Sequence, residues 1–146
     1  MKSAPTFKRP RLLGIIAAAT ISLAACSGMP YGGMGSVALS GGQEVPPVQT
    51  SASGKAAITV NADRSVSGSV TTAGVAGTMA HIHIGAAGKN GPVIVPMTKS
   101  GDGTWVISAG AKLTDAQYEA YKAGGLYVNV HSAEHKGGEI RAQLMP

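Results

Sequence analysis

The feature that most constrains the fold of this chain is a series of short runs in which aliphatic residues alternate with small or polar ones. Lys55 to Val60 and Ser65 to Thr71 form one pair of such runs, joined by a turn at 61–64. Alternation with a period of two is typical of strands that bury one face. A similar run precedes them at 37–39, and others follow at 78–84, 93–96, 104–108, 126–131 and 139–144. The pattern predicts a mainly β domain, an antiparallel β-sandwich or barrel.

One segment is instead typical of a short helix. Thr114 is a good N-cap, and Gln117 stands three residues later, where it completes a capping box. Lys122 suits the last turn, and Gly124 suits the position just after the end of a helix. The sequence therefore predicts one helix of two to three turns between these residues.

The first 25 residues have the composition of an export signal. Four basic residues come first: Lys2, Lys8, Arg9 and Arg11. An apolar run from Leu12 to Ala25 follows, about as long as the hydrophobic part of a signal peptide. It ends in two alanines before Cys26, an arrangement that resembles the cleavage and lipidation signal of bacterial lipoproteins. An ordinary signal peptide followed by a chance cysteine is the alternative.

We therefore expect residues 1–25 to be a lipoprotein signal peptide, Cys26 to carry the lipid, and 26–35 to be a flexible tether before a folded domain at 36–146. Ser27 follows the cysteine where aspartate would retain a resembling Gram-negative lipoprotein in the inner membrane. The expected location is the bacterial cell envelope. The membrane is then a partner through the lipid, and the domain faces the periplasm from the outer membrane.

Removing this leader changes the charge of the protein. Four of the 12 Lys and Arg residues lie before residue 12, which leaves eight against the seven Asp and Glu residues. A nearly neutral chain lacks the dense basic patch that a nucleic-acid partner requires. Cys26 is the only cysteine, so the mature domain has no thiolate to offer a metal.

The four histidines fall into two tight clusters. His81 and His83 are two residues apart, so that in a strand both imidazoles point to the same face. His131 and His135 lie about fifty residues later, His131 at the end of a similarly patterned strand. Divalent transition metals are the commonest reason for bringing several imidazoles together. We predict His81, His83 and His131 as ligands, with His135 as a fourth on a loop.

The far ring nitrogens of such ligands need partners of their own. The sequence offers five side chains for this purpose: Glu44, Tyr127, Asn129, Glu134 and Glu139. The alternative is that the histidines bind no metal and make hydrogen bonds that fix a loop.

Three stretches of the chain resemble the CHRD domain, a family named after chordin and common in bacterial secreted proteins and lipoproteins. They are Leu-Ser-Gly-Gly-Gln-Glu-Val-Pro-Pro at 39–47, the histidine run and its Gly-Pro-Val ending at 81–93, and Tyr-Val-Asn-Val-His with Gly-Glu-Ile-Arg at 127–141. The motifs stand in the family's order. The sequence departs from the family pattern at Ser132 and Ala142, where threonine and glycine are usual, and at Lys136-Gly137, where the family often has proline.

A looser similarity links the chain to the copper/zinc superoxide dismutases. Those enzymes also place a His-x-His pair on a strand of an antiparallel Greek-key barrel and complete their copper site with other histidines. The similarity implies a copper site, with iron or zinc as alternatives, in a protein that handles the metal or dismutes superoxide. Arg141, on a polar strand face, is then a candidate to attract a small anion. The alternative function is a non-catalytic binding or adhesion module with structural histidines.

Overall fold

The computed structural model describes Met1, Ser3 and residues 35–146. The predicted signal peptide, Cys26 and the predicted tether up to residue 34 lie outside the described residues. Within 35–146, eight antiparallel strands close into a barrel, with a short 3-10 helix at Gly41–Gln43. The strands are β1 Ser36–Ser40, β2 Ser53–Val60, β3 Val66–Ala73, β4 Gly77–Ile84, β5 Val93–Gly101, β6 Thr104–Ile107, β7 Leu126–Ser132 and β8 Ile140–Leu144.

The order of the strands around the barrel is β1-β2-β3-β6-β5-β4-β7-β8. Hairpins join β4 to β5 and β5 to β6, and β7 then returns to lie beside β4. This four-strand arrangement is a Greek key. The prediction of a mainly β, antiparallel domain is confirmed. Of the two architectures that the sequence allowed, a sandwich or a barrel, the structure has the closed barrel.

The barrel interior is built by the alternation that the sequence showed. Ile82 of β4 lies opposite Val128 of β7, and Val130 lies opposite Ile140 of β8. All four side chains are fully buried and join one apolar cluster with Trp105. Burying apolar surface stabilises the fold by about 25 cal/mol per Å², so these alternate positions fix which face of each strand points inward.

The predicted helix is present as α1, Asp115–Lys122. The Gln117 backbone N–H donates to Thr114 Oγ1 at 3.2 Å, and the Gln117 side chain accepts from the Thr114 N–H at 2.9 Å, which completes the capping box. Gly124 has a φ of +70°, as expected of a residue that ends a helix. Tyr118 and Tyr121 pack against the core cluster.

Among the described residues, no helix is both long and apolar enough to cross a membrane.

Loops cover the outside of β4, β7 and β8, and this arrangement positions the site. A hydrogen bond connects the segment before β2 to the residue before β8: the Thr50 hydroxyl donates to Glu139 Oε1 at 2.8 Å. The segment after β4 is held by Gln143, whose amide donates to the Gly85 carbonyl at 2.9 Å. Most outward-pointing side chains of these three strands are therefore buried or half-buried, and we call this surface the outer face.

Candidate metal site

The two strands that carry the predicted ligands are neighbours in the barrel. β4 and β7 run antiparallel, with His81 opposite Asn129 and His83 opposite Tyr127. Since strand side chains alternate, both β4 imidazoles point to the outer face, as does His131, two residues beyond Asn129. The fold thus brings the two histidine clusters of the sequence onto one surface.

Three of the imidazoles lie close enough to share one ion. His81 Nδ1 lies 3.1 Å from His131 Nε2. One ring nitrogen from each of His81, His83 and His131 lies within 4.8 Å of the others. We call these residues the histidine triad. Across the part of the chain that the structure describes, it is the one group of three or more His, Cys, Asp or Glu side chains with this geometry.

Backbone carbonyls hold two of the rings in a defined tautomer. His83 Nδ1 lies 2.9 Å from the Gly91 carbonyl oxygen, and His131 Nδ1 lies 2.9 Å from the Lys136 carbonyl oxygen. Because a carbonyl only accepts, both Nδ1 atoms donate, and both Nε2 atoms keep a lone pair. The expectation that side chains hold these nitrogens is wrong for His83 and His131. Backbone carbonyls hold these nitrogens instead. Every residue has a backbone carbonyl, so the residue types in the sequence do not reveal which carbonyl will be the partner.

Gly91 is required at its position by a close approach of two backbones. A Cβ at Gly91 would lie 1.7 Å from the Ile84 carbonyl oxygen, so a side chain there would push the loop away from β4. The Gly91 N–H also donates to the Tyr127 hydroxyl at 3.2 Å. The loop is therefore fixed from two sides, and its carbonyl is placed against the His83 ring.

Burial favours the metal-binding form of two imidazoles of the triad, those of His81 and His131. Burial lowers the pKa of His81, and the neighbouring His131 and His83 rings lower it further because a second positive charge there is repelled. Burial also lowers the pKa of His131, against a smaller opposing effect of the Lys136 carbonyl. Both imidazoles are therefore neutral at neutral pH, as a metal ligand must be.

An aromatic ring supports the triad from behind. The His83 ring stacks on Tyr127 with centroids 4.7 Å apart and an angle of 6° between the planes. The Arg141 guanidinium carbon lies 3.4 Å from the centroid of the same Tyr127 ring. Since β4 and β8 flank β7 on opposite sides, Tyr127 lies between the two groups. Its ring restrains His83 while a cation restrains the ring.

Arg141 is held in place by neutral partners. It is 1% exposed, and its guanidinium donates to Asn90 Oδ1 at 3.0 Å and to the Lys89 carbonyl at 2.9 Å. Ion pairs within residues 35–146 include Arg64–Asp115 and Lys122–Glu119, and Arg141 forms one with neither Glu44 nor Glu139. Tyr127 separates its charge from the triad. The anion-attracting role stays a prediction.

His135 lies apart from the triad. It is partly exposed in the loop between β7 and β8, and its backbone N–H donates to Ser132 Oγ at 3.1 Å. It is not a member of the metal-compatible group. The loop serves the site through the neighbouring Lys136 carbonyl, and a ligand role for His135 stays a prediction.

Beside the triad, the outer face holds a buried carboxyl. Burial raises the pKa of Glu44 to about 7, against the opposing effects of the Arg141 charge and the Asn129 amide. In the described part of the chain, Glu44 Oε1 and Asn129 Oδ1 have no hydrogen-bond partner. A Cβ at Gly138 would lie 2.3 Å from Glu44 Oε1. The absence of a side chain at Gly138 therefore allows the carboxyl to enter.

One residue near the site escaped the sequence analysis. Met79 lies opposite His131 in the register of β4 and β7, and it is half exposed. Its signal was available, since Met79 stands two residues before His81 just as His81 stands two before His83. A lone methionine among aliphatic residues does not distinguish itself from a core residue.

Comparison with known proteins supports the motif-based resemblance. A family model of the CHRD domain matches residues 35–144. The match includes every strand of the barrel, the helix and the histidine triad. No curated protein and no solved structure matches the chain.

Proposed function

This chain belongs to the CHRD domain family, and from that premise we propose that it binds one copper-type transition metal ion through the histidine triad. The proposal rests on one observation. His83 Nε2 is buried and has no hydrogen-bond partner among the described residues, and it belongs to the cluster formed with His81 and His131. An unpartnered buried polar atom costs about 1–3 kcal/mol, and a bound ion removes that cost.

The same observation argues against purely structural histidines. A histidine that only fixes a loop needs both ring nitrogens satisfied. His83 fixes the loop with Nδ1, through the Gly91 carbonyl, and its second nitrogen contributes nothing to that role. A binding or adhesion module leaves this nitrogen unexplained.

The donor set favours copper over the alternatives. Imidazole nitrogen suits copper, zinc and iron, and a neutral nitrogen site binds divalent copper more tightly than zinc or iron. Non-haem iron sites usually add a carboxylate, and structural zinc sites are closed by a fourth ligand. The triad contains only histidines in the described residues. Open zinc sites also use three histidines, so the preference for copper rests on its tighter binding to nitrogen donors.

The proposed setting is the bacterial cell envelope. The basic and apolar leader before Cys26 supports export and lipidation, and Ser27 supports the outer membrane over the inner one. The role of the protein there is to bind and hand on the metal at the periplasmic face of that membrane. A small ion is then its ligand and the membrane its anchor.

Superoxide dismutation is a second candidate role, supported by the open side of the triad. Three imidazoles leave a coordination position for a small anion, and His81 is partly exposed while His83 and His131 are buried. Arg141 adds positive potential near the site. It acts through its field, because Tyr127 separates it from the triad.

Metal analysis of the full chain tests the proposal. The protein is purified without a His tag from detergent-solubilised envelopes and compared with His83→Ala and with His135→Ala, which removes the predicted fourth ligand and leaves the three imidazoles of the triad in place. We expect about one copper ion per chain in the wild type and in His135→Ala, and loss of the metal in His83→Ala. Circular dichroism checks that each variant folds. A superoxide assay on the same samples separates enzymatic turnover from metal handling.

Equal metal content in the wild type and His83→Ala would contradict the proposal. So would a wild-type protein that stays metal-free after reconstitution with Cu(I), Cu(II), Zn(II) and Fe(II). Either result would favour the binding or adhesion module.

A further inference from the structure

We propose that Met79 supplies a thioether ligand to the histidine triad and makes the site selective for Cu(I). This inference rests on the proposed function and deepens it, because it names the oxidation state that the site prefers. It also assigns a ligand outside the histidine clusters.

Strand register places Met79 next to the triad. Met79 lies directly opposite His131 across the β4–β7 ladder. Cβ atoms of directly opposed residues in antiparallel strands are about 4.5–5.5 Å apart and lie on the same face. Met79 is also two residues before His81, with the fully buried Ala80 between them. Two independent neighbours, one on each strand, thus put its side chain on the outer face.

An irregularity in β4 gives Met79 this orientation. The register shifts between Gly77 and Met79. A Cβ at Gly77 would lie 3.0 Å from the Trp105 side chain and 3.1 Å from that of Val130, so Gly77 faces the barrel interior. Counted forward from Gly77, strict alternation would turn Met79 inward too, whereas counted back from His81 it turns Met79 outward. The shift turns it outward instead, and bulges of this kind commonly redirect a side chain beside a functional site.

The exposure of Met79 fits a position at the entry to the triad. Met79 is 49% exposed, whereas Met97 of the same barrel is 8% exposed and belongs to the core. His83 and His131 are buried and His81 is only partly so. An ion that approaches from solvent therefore reaches the triad past Met79 and His81. Three rotatable bonds let the methionine side chain follow the ion inward.

Charge and softness both favour Cu(I) at such a site. Three neutral imidazoles and a thioether bring no negative charge, so the charge of a bound ion stays uncompensated in a partly buried place. A monovalent ion costs less to bury there than a divalent one. Thioether sulfur is a soft ligand that selects Cu(I), while Zn(II) gains little from it. Met79 therefore discriminates between metals that the imidazoles alone accept.

Anaerobic Cu(I) titration of the full chain against a chromogenic chelator tests the inference. Met79→Leu keeps the size and apolar character of the side chain and removes the sulfur. Met145→Leu is the matched control, because Met145 is 67% exposed and follows β8 at the end that pairs with Leu126, away from His131. We expect Met79→Leu to weaken Cu(I) binding about tenfold and to leave Zn(II) binding unchanged. Met145→Leu should match the wild type with both metals.

X-ray absorption of the Cu(I) forms gives a readout that a structural role would not alter. We expect one sulfur scatterer beside the nitrogen shell in the wild type and in Met145→Leu, and its loss in Met79→Leu. Equal Cu(I) affinity in all three proteins, or a nitrogen-only shell in the wild type, would overturn the inference. If His83→Ala still loses Cu(I) in that case, the proposed function stands without Met79. A wild type that binds none of Cu(I), Cu(II), Zn(II) and Fe(II) would overturn both.

Discussion

The inner face of β4, β7 and β8 and most of their outer face are buried, and the two are buried for different reasons. Inside the barrel, Ile82 and Val128 are fully covered and need nothing beyond packing. On the outer face, His83 and Asn129 are at least nine-tenths covered, and each keeps a polar atom without a partner in the described residues. Excluding water from the apolar core stabilises the folded protein, whereas excluding water from the unpartnered polar atoms of the outer face destabilises it.

Along one strand, inward-pointing residues therefore serve stability, and the outward-pointing residues between them serve ligand binding. Apolar burial is satisfied as soon as the chain folds, so the inner face has no need of a ligand. Unpartnered nitrogen and oxygen atoms on the outer face remain unsatisfied in the folded chain, and a cation or a proton satisfies them. The loops that cover this face bury polar atoms without partners, which a bound ligand would satisfy. The apolar interior of the barrel beneath stabilises the fold.

The largest expected effect comes from truncating the inner face. Ile82→Ala should lower the free energy of unfolding of the apoprotein by about 3 kcal/mol, because it leaves a cavity in the core. His81→Ala, at the adjacent outward position, should cost less than about 1 kcal/mol. Denaturant unfolding with a chelator present measures both. Equal losses would mean that the outer face is an ordinary second core and would remove the distinction.

A change at Glu44 should give an effect of intermediate size that depends on pH. Its pKa is raised to about 7 in the folded protein from 4.5, so between these values the native state binds more protons than the unfolded state. The stabilisation is fully present below pH 4.5 and is lost as the pH rises through 7. Glu44→Gln should remove this loss, on the order of 2 kcal/mol.

The measurement is the difference in unfolding free energy between Glu44→Gln and the wild type at pH 5 and pH 8. The depressed pKa values of His81 and His131 make stability rise with pH, but they are common to both proteins and cancel in the difference. A difference that does not change with pH would show that Glu44 is already satisfied in the folded state.

The smallest expected effect comes from the hydroxyl that fastens a loop to the outer face. Tyr127→Phe keeps the ring between His83 and Arg141 and removes the acceptor for the Gly91 N–H, which should cost about 1 kcal/mol. Copper affinity should fall moderately, because the Gly91 carbonyl orients His83. Tyr121→Phe, which loses an exposed hydrogen bond to the Met145 carbonyl, serves as the control. Equal copper affinity in both variants would show that the loop needs no such fastening.

Local periodicity explains what the sequence predicted well. The alternation around His81, His83 and His131 depends only on the pleat of a strand, so their common face followed from spacing alone. The capping box at Thr114 and Gln117 is likewise local, and it is confirmed. Closure into a barrel depends on which distant strands pair, and alternation alone does not distinguish it from a sandwich.

The parts of the site that escaped the sequence are not encoded in residue type. The Gly91 and Lys136 carbonyls belong to the backbone, and only the fold of two loops brings them to the rings. Met79 shares the spacing of His81 and His83, but a lone methionine cannot be told from a core residue by its type. Arg141 was expected on a polar strand face, and its burial follows from loops that contact it through Asn90 and the Lys89 carbonyl.

The seam of the barrel has a mechanical consequence. In the described chain, β1 is registered with β2 along its whole length, from Ser36 to Ser40, but with β8 at a single pair, Ser40 and Arg141. Strain that opens the closed sheet therefore meets its weakest resistance at that pair, because every other neighbouring pair of strands is registered at three or more positions. Arg141 rests on Tyr127, so tension at the seam arrives one ring away from His83. The long ladder between β4 and β7 stays in register meanwhile, and the barrel would part at its seam before the nitrogens of the triad separated.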